Sequence, residues 1–464
     1  MNLGSDGLGQ WSAALAVLHG GVPTPPNPEG GHSLWIFGLP PVLLGRSLLG
    51  VAQVRVVMAA LVAPLGAASA WWLGATGPGR WAAAVLTGVW LAVDPGLLDT
   101  LQVAFRGYGA PELVALAGLG LAATRTGWRV GPAVALVALL AAAGQHPMAG
   151  GVLIAGTLAV WGLRASVGPR ALGGALALMG LLALGRVGWL WRLGQCGAGW
   201  VACLGRVASG SSEATPTSMD FVVRALHDRW LVDAAALGWA PAGIVLIAVI
   251  LLLVRPGKHG HAVLLWAALA TAGIIALGLG VHSLRPYHLR IVAAPIAVVV
   301  GLGLSRVWPL ALVVAALSLG AVPRPVVAAG DGSPAHVDAL AVALRPDAGP
   351  VRIDAVWYGD PVGVEPAPVV VSMVLQGMSA DRLQARADVP VVLLVNTDEG
   401  RPRPDRSPMA VWDTGYALRF DRLTDAVAWV DGQVLRPVVE GGAFDWVKAL
   451  HPDDPGQDAV SWTR

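Results

Sequence analysis

Ser283-Leu284-Arg285-Pro286-Tyr287-His288-Leu289-Arg290 sets two arginines, a tyrosine and a histidine on the lip of an apolar run from Ile291 to Leu304. His282 stands just before them. Guanidinium groups hold phosphate oxygens in bidentate fashion, and Tyr and His add donors. A helix starting near Arg290 would contribute N-terminal N–H groups to the same anion. Arg285, Tyr287, His288 and Arg290 are therefore candidates for a phosphate carried at a membrane surface. A basic anchor snorkelling to lipid headgroups would use the same residue types.

The candidate acids lie far away in the chain. Asp6 sits in Gly4-Ser5-Asp6-Gly7-Leu8-Gly9-Gln10-Trp11. A carboxylate flanked by glycines can approach a bulky substrate and take a proton from an acceptor hydroxyl; it can equally be a helix N-cap. Asp94, Asp99, Arg106, Tyr108 and Glu112 crowd a second loop. Such a set could orient a sugar or hold a divalent cation, or serve turn chemistry and an arginine–acid pair. Ionisable groups at membrane depth are costly, which favours a functional use. His146, before Pro147, could line a cavity or be a satisfied structural residue. Arg55 and Arg186 fall inside apolar stretches and should face a bundle interior. Cys196 and Cys203 share a polar loop; an oxidising compartment would permit a disulfide. Helical geometry would instead hold them about 10 Å apart along the axis, too far to bridge. No zinc or redox motif is present.

These residues need a scaffold, and composition names it. The 464-residue chain is 55% hydrophobic and 13% charged, with a mean hydropathy of +0.64. That is a multi-span membrane protein. Residues 1–330 carry 19 Lys+Arg against 9 Asp+Glu, and residues 331–464 carry 12 against 20. The break marks a membrane domain followed by a water-exposed one. Scattered basic residues and an acidic tail exclude a nucleic-acid binder. The reading is a mainly α protein: an outward loop with an interfacial helix over 1–50, a transmembrane helical domain over 51–322, and a small soluble α/β domain over 331–464.

About ten spans are expected, near 51–74, 81–98, 109–124, 130–143, 148–163, 171–193, 236–254, 262–281, 288–304 and 308–322. Several fall short of the ~20 residues a straight span needs. Leu8 to Leu18 reads as an interfacial helix. No signal peptide opens the chain. Every second loop (75–80, 125–129, 164–170, 255–261, 305–307) is basic and free of acids, so these should be cytoplasmic. Asp6, Glu29, Asp94, Asp99, Glu112, Glu213, Asp220, Asp228 and Asp233 then fall on or near the outer side, with both chain ends. An outside N-terminus without a signal is hard to translocate, so a further span upstream of Met1 is expected. In the tail, Ala335–Leu344 and Leu423–Val430 read as helices. Val351–Tyr358, Val369–Met373 and Val389–Val395 read as β-branched strands.

The order of motifs resembles the GT-C superfamily of integral-membrane glycosyltransferases, of the protein mannosyltransferase and aminoarabinose transferase type. Asp6 to Trp11, Gly20-Gly21-Val22-Pro23 and Gly31-His32-Ser33-Leu34-Trp35 resemble that family's first outward loop. Arg55, Gly77-Pro78-Gly79-Arg80, Leu91-Ala92-Val93-Asp94-Pro95 and Glu112 resemble features that follow it, and Arg285 to Pro295 loosely resembles a late arginine–tyrosine motif. The chain diverges where Gly7 replaces the second acid of the family's pair, and its first span is not matched.

The resemblance implies an enzyme of the plasma (inner) membrane serving the cell envelope, with its C-terminal domain extracytoplasmic. It would move a sugar from a polyprenyl-phosphate donor to an unspecified acceptor on the outer face, with no cofactor certain and a divalent cation possible. Asp6 would be the base, and Arg285, Tyr287, His288 and Arg290 would hold the carrier phosphate. Asp94, Asp99, Arg106, Tyr108, Glu112 and His146 would shape the sugar site. A lipid-linked saccharide transporter, or a non-enzymatic envelope assembly protein, would share much of this composition.

Overall fold

The computed structural model describes residues 39–74, 76–94, 110–123, 131–145, 240–257, 259–280, 286–320, 333–358, 366–384, 386–397 and 406–433, with positions 15, 18, 97, 218, 219, 364, 438 and 439. These fall into two compact units. Of the described residues, one holds those up to Arg55 together with those from 327 onward, and the other holds those between.

Helix α1 (Leu39–Gly45) carries Pro40 and Pro41 in its first turn, where a missing N–H costs nothing. Helices α2 (Leu48–Ala60) and α3 (Val62–Leu73) make one apolar run of 26 residues. It breaks at Leu61, whose N–H reaches back three residues to Met58 O (3.2 Å). Pro64 explains the break: it lacks a donor, and its ring excludes the carbonyl of Ala60. The chain continues through α4 (Pro78–Ala92), α5 (Ala110–Ala123), α6 (Gly131–Gln145), α7 (Ala240–Val254) and α8 (Gly260–Gly280). A 3₁₀ helix (Pro286–Val292) leads into α9 (Ala293–Leu304); a short 3₁₀ turn (Ser305–Val307) leads into α10 (Trp308–Gly320).

Helix α4 is the axis against which its neighbours can be aligned. Gly74, after α3, lies beside Arg80, and a Cβ on Gly88 would lie 3.2 Å from Ala67 Cβ, so α3 and α4 are antiparallel. Thr87 Oγ1 donates to Ala297 O at 3.2 Å, and a Cβ on Gly79 would lie 3.1 Å from Ser305 O. Helix α9 is thus also antiparallel to α4. Trp81 and Val85 line a groove with Trp308 and Leu312, so α10 runs parallel to α4. The chain therefore reverses within Ser305–Val307. The 32-residue apolar run Leu289–Gly320 is a hairpin of two arms. The first arm, from Pro286 to Leu304, is roughly 32 Å long at 3₁₀ and α rises, enough for a ~30 Å hydrocarbon core.

These helices are apolar on nearly every face and pack through small residues. A Cβ on Gly303 would sit 2.7 Å from Ala248 Cα, and one on Gly120 would sit 2.7 Å from Ala135 N. Close backbone approach of this kind is how helices associate in lipid, where apolar surface alone gives no drive to associate. Beside the run Leu48–Leu73, shorter apolar helices cover Pro111–Ala123, Ala240–Val254 and Gly260–Ala276. The expected spans 148–163 and 171–193 lie outside the described residues, as do Arg186, Cys196 and Cys203.

The tail is a three-layer α/β/α domain. Helix α11 (Pro334–Ala343) is N-capped by Ser333, whose Oγ accepts from His336 N at 3.3 Å. Strand β1 (Arg352–Tyr358), helix α12 (Pro366–Leu375), β2 (Val391–Thr397), β3 (Ala410–Trp412), β4 (Gly415–Phe420), α13 (Leu423–Asp431) and β5 (Val438–Val439) follow. The sheet order is β3-β4-β2-β1-β5, with β1 and β2 parallel and the other pairs antiparallel. Ile353, Ala355, Val392 and Leu394 pack with α11 and α12. Val356, Tyr358, Val391, Leu393 and Val395 pack with α13 on the other face.

Val369–Met373, read as a strand from its valines, is instead the middle of α12. Parallel β1 and β2 need a crossover connection, and that demand overrides β-branched propensity. Pro366 and Pro368 suit the first turn of a helix.

Candidate functional site

Three candidate residues lie at one end of the helical unit. Asp94 follows the C-terminus of α4 and is buried; its Oδ1 accepts from Leu97 N at 3.1 Å. That is turn chemistry of the kind expected as one alternative. Glu112 opens α5 and is buried; a carboxylate in a first turn is favoured by the helix dipole. Arg290 belongs to the 3₁₀ helix Pro286–Val292 and is 5% exposed.

An apolar cluster that runs the length of the unit, from Ala82 and Leu304 to Leu91 and Ala293, has members within four residues of all three. Asp94 lies between Leu91 and Leu97, Glu112 is one turn before Ala115, and Arg290 is one turn before Ala293. Helix α9 runs antiparallel to α4, so the start of the one meets the end of the other.

The helix expected to begin near Arg290 begins earlier, at Pro286. Tyr287 and His288 are therefore helical in backbone, and Arg290 is in the last turn of a 3₁₀ segment rather than at a helix N-terminus. Pro295 accounts for the change of winding: its ring cannot stack on the carbonyl of Ile291, and 3₁₀ pairing precedes it. Asp6, Asp99, Arg106, Tyr108, His146 and Arg285 lie outside the described residues. Arg55, expected to face inward, is 3% exposed. No group of three His, Cys, Asp or Glu side chains able to hold a metal ion occurs among the described residues.

The opposite end of the same unit is basic. Gly79 abuts Ser305 O, and Arg306 Nη2 donates to Pro256 O at 3.0 Å. The turns at 75–80, 255–261 and 305–307 therefore meet, bringing Arg80, Arg255 and Arg306 to one face. Spacing of charge along the chain had assigned these three loops to one side.

Sequence reasoning missed polar residues in the tail. Arg352 Nε and Asp354 Oδ2 pair at 2.6 Å inside the sheet. Burial pushes the Asp354 carboxyl up and the Arg352 guanidinium down, against their mutual attraction. Asn396 holds Val364 through both amide groups, accepting from its N–H at 2.9 Å and donating to its carbonyl at 3.1 Å. The two-residue spacing of Arg352 and Asp354 on a strand was the available signal, since it puts both on one face.

No protein-family model matches the chain, and no curated protein matches its sequence. Among solved structures, the fold is similar to the crystal structure of ArnT from Cupriavidus metallidurans in the apo state. The TM-score is 0.51 at 14% identity, over 91% of this chain and 94% of that one. The likeness is one of fold. The chain is mainly helical, with a small α/β domain at its C-terminal end.

Proposed function

We propose that the protein is a membrane glycosyltransferase that moves a sugar from a polyprenyl-phosphate carrier to an acceptor at the outer face of the plasma membrane, in service of the cell envelope. The observation that carries this reading is the burial of three ionisable groups, Asp94, Glu112 and Arg290, in a bundle of apolar helices. Buried ionisable groups in a lipid-embedded bundle are expensive and mark functional sites. The fold shared with ArnT supports the same reading.

In the proposed reaction the acceptor hydroxyl attacks the anomeric carbon, and its proton passes to Asp6. The bond from that carbon to the phosphate oxygen breaks, and the carrier phosphate leaves with the electron pair. Arg290, with Arg285, Tyr287 and His288, meets the charge that develops on that phosphate. Asp94, Asp99, Arg106, Tyr108, Glu112 and His146 orient the sugar. The C-terminal domain stands on the same outer side. A divalent cation, if used, would be held by the acids of the 94–112 loop.

The test is transfer from a purified polyprenyl-phosphate sugar by the full chain in lipid nanodiscs, beside a carrier-binding measurement. Asp6→Asn should lower transfer at least about a hundredfold, in line with loss of a general base, while carrier binding holds. Arg290→Ala should weaken carrier binding about tenfold or more, and Arg290→Lys should recover part of it. Full transfer by Asp6→Asn would remove Asp6 as base, and unchanged carrier binding by Arg290→Ala would remove the phosphate role.

A further inference from the structure

The basic end of the helical unit carries a feature that sugar transfer does not use. Trp71, Gly77, Pro78, Arg80, Trp81 and Trp308 surround the mouth of a groove of ≈ 530 Å³, and Val85 and Leu312 continue it along α4 and α10. Trp81 and Val85 are four residues apart on α4, as are Trp308 and Leu312 on α10, so each pair occupies one helix face. All four are exposed. Two indoles therefore flank the groove at its mouth, and two aliphatic side chains flank it one turn deeper.

Arg80 is anchored at the mouth. Its Nε donates to Trp71 O at 2.6 Å, and its guanidinium carbon stands 4.6 Å from the centre of the Trp71 ring. Trp71 in turn meets Trp81 edge-on, with ring centres 4.2 Å apart. Among the described residues Arg80 makes no other hydrogen bond, so Nη1 and Nη2 are left for a ligand. Arg255 and Arg306 add positive charge to the same end, and none of the described residues in the three turns there is acidic.

We propose that this groove binds one anionic glycerophospholipid from the leaflet at the basic end. Its phosphodiester sits on Arg80 between Trp81 and Trp308, and one acyl chain lies over Val85 and Leu312. Three features select this occupant. A fixed guanidinium demands an anion. Exposed indoles at the end of an apolar bundle suit headgroup depth, where amphipathic rings settle. The aliphatic floor runs along the helices, which here means into the bilayer. A tryptophan belt acting only as an anchor would hold zwitterionic and anionic lipids alike.

The experiment uses the full chain in phosphatidylcholine nanodiscs doped with acyl-brominated phosphatidylglycerol or, at equal content, acyl-brominated phosphatidylcholine. Bromine quenches tryptophan on contact. The proposal expects stronger quenching by the brominated phosphatidylglycerol, with about a fivefold preference, the scale of one arginine–headgroup interaction. Arg80→Gln should abolish the preference while leaving every indole in place. Arg80→Lys should keep part of it, and far-UV circular dichroism of both variants should match the parent. Equal quenching by the two lipids, or a preference unchanged in Arg80→Gln, would overturn the proposal.

Discussion

Tyr358 ends β1 with its ring in the core against α13, and its Oη has no hydrogen-bond partner among the described residues. Burial, with Tyr416 nearby, pushes its phenol up to about 12. The folded domain therefore favours the neutral form. That contribution is whole below the unfolded value of about 10 and is lost as pH rises toward about 12. Tyr358→Phe removes an unpaired buried hydroxyl at little packing cost, so it should leave stability at pH 7 unchanged or raised. It should also flatten the alkaline fall in melting temperature above about pH 10. Circular dichroism melts across that range check both expectations. A loss of more than about 1 kcal/mol at pH 7 would mean that the hydroxyl has a partner.

Helix α2 shows what elements demand of distant residues. The first N–H groups of a helix have no partner within it. Here Leu48 N and Leu49 N both donate to the carboxylate of Asp338 on α11, at 2.9 Å each. Ser372 Oγ on α12 and Gln376 Nε2 just after it also donate to that carboxylate. A charged acceptor at a helix start gains from the dipole as well. Asp338→Ala should cost about 2 kcal/mol, read as a fall in melting temperature of the full chain, and Asp338→Asn should cost less. An Asp338→Ala protein that melts with the parent would remove the capping role. The sequence offered no sign of this contact, because 290 positions separate Leu48 from Asp338 and an Ser-Pro-Ala-His-Val-Asp stretch names no partner.

At the scale of the molecule, the helical unit has an end rich in arginine and an end holding buried acids. By the positive-inside rule we propose that the first end is cytoplasmic. In a background lacking Cys196 and Cys203, a cysteine at Arg306 should resist a membrane-impermeant maleimide in intact cells and react after permeabilisation. A cysteine at Val411, exposed on β3 of the tail, should react in both, as an extracytoplasmic domain requires. The reverse labelling pattern would invert the topology. It would also turn the candidate transfer site toward the cytoplasm.

Composition and charge spacing were enough to identify a mainly helical fold, the approximate bounds of its described helices, a break near 305–307 and a small α/β domain in the tail. Each of these depends on local hydropathy or on loop charge, and those are properties of neighbours in the chain. Arg290 and Glu112 could likewise be singled out alone, because charge beside an apolar run is conspicuous wherever the run folds. What tertiary structure decided is of another kind. It turned Pro366–Leu375 into a helix because two parallel strands had to be joined. It wound Tyr287 and His288 into a 3₁₀ segment ahead of Pro295. It buried Asp94, Glu112 and Arg290 beside one apolar cluster, and set Trp308 at a groove with Trp71, Arg80 and Trp81, more than 200 positions earlier in the chain. Those outcomes depend on which helices are neighbours, and that choice is made by close backbone contacts such as Gly303 against Ala248 and Gly120 against Ala135, which no local pattern encodes.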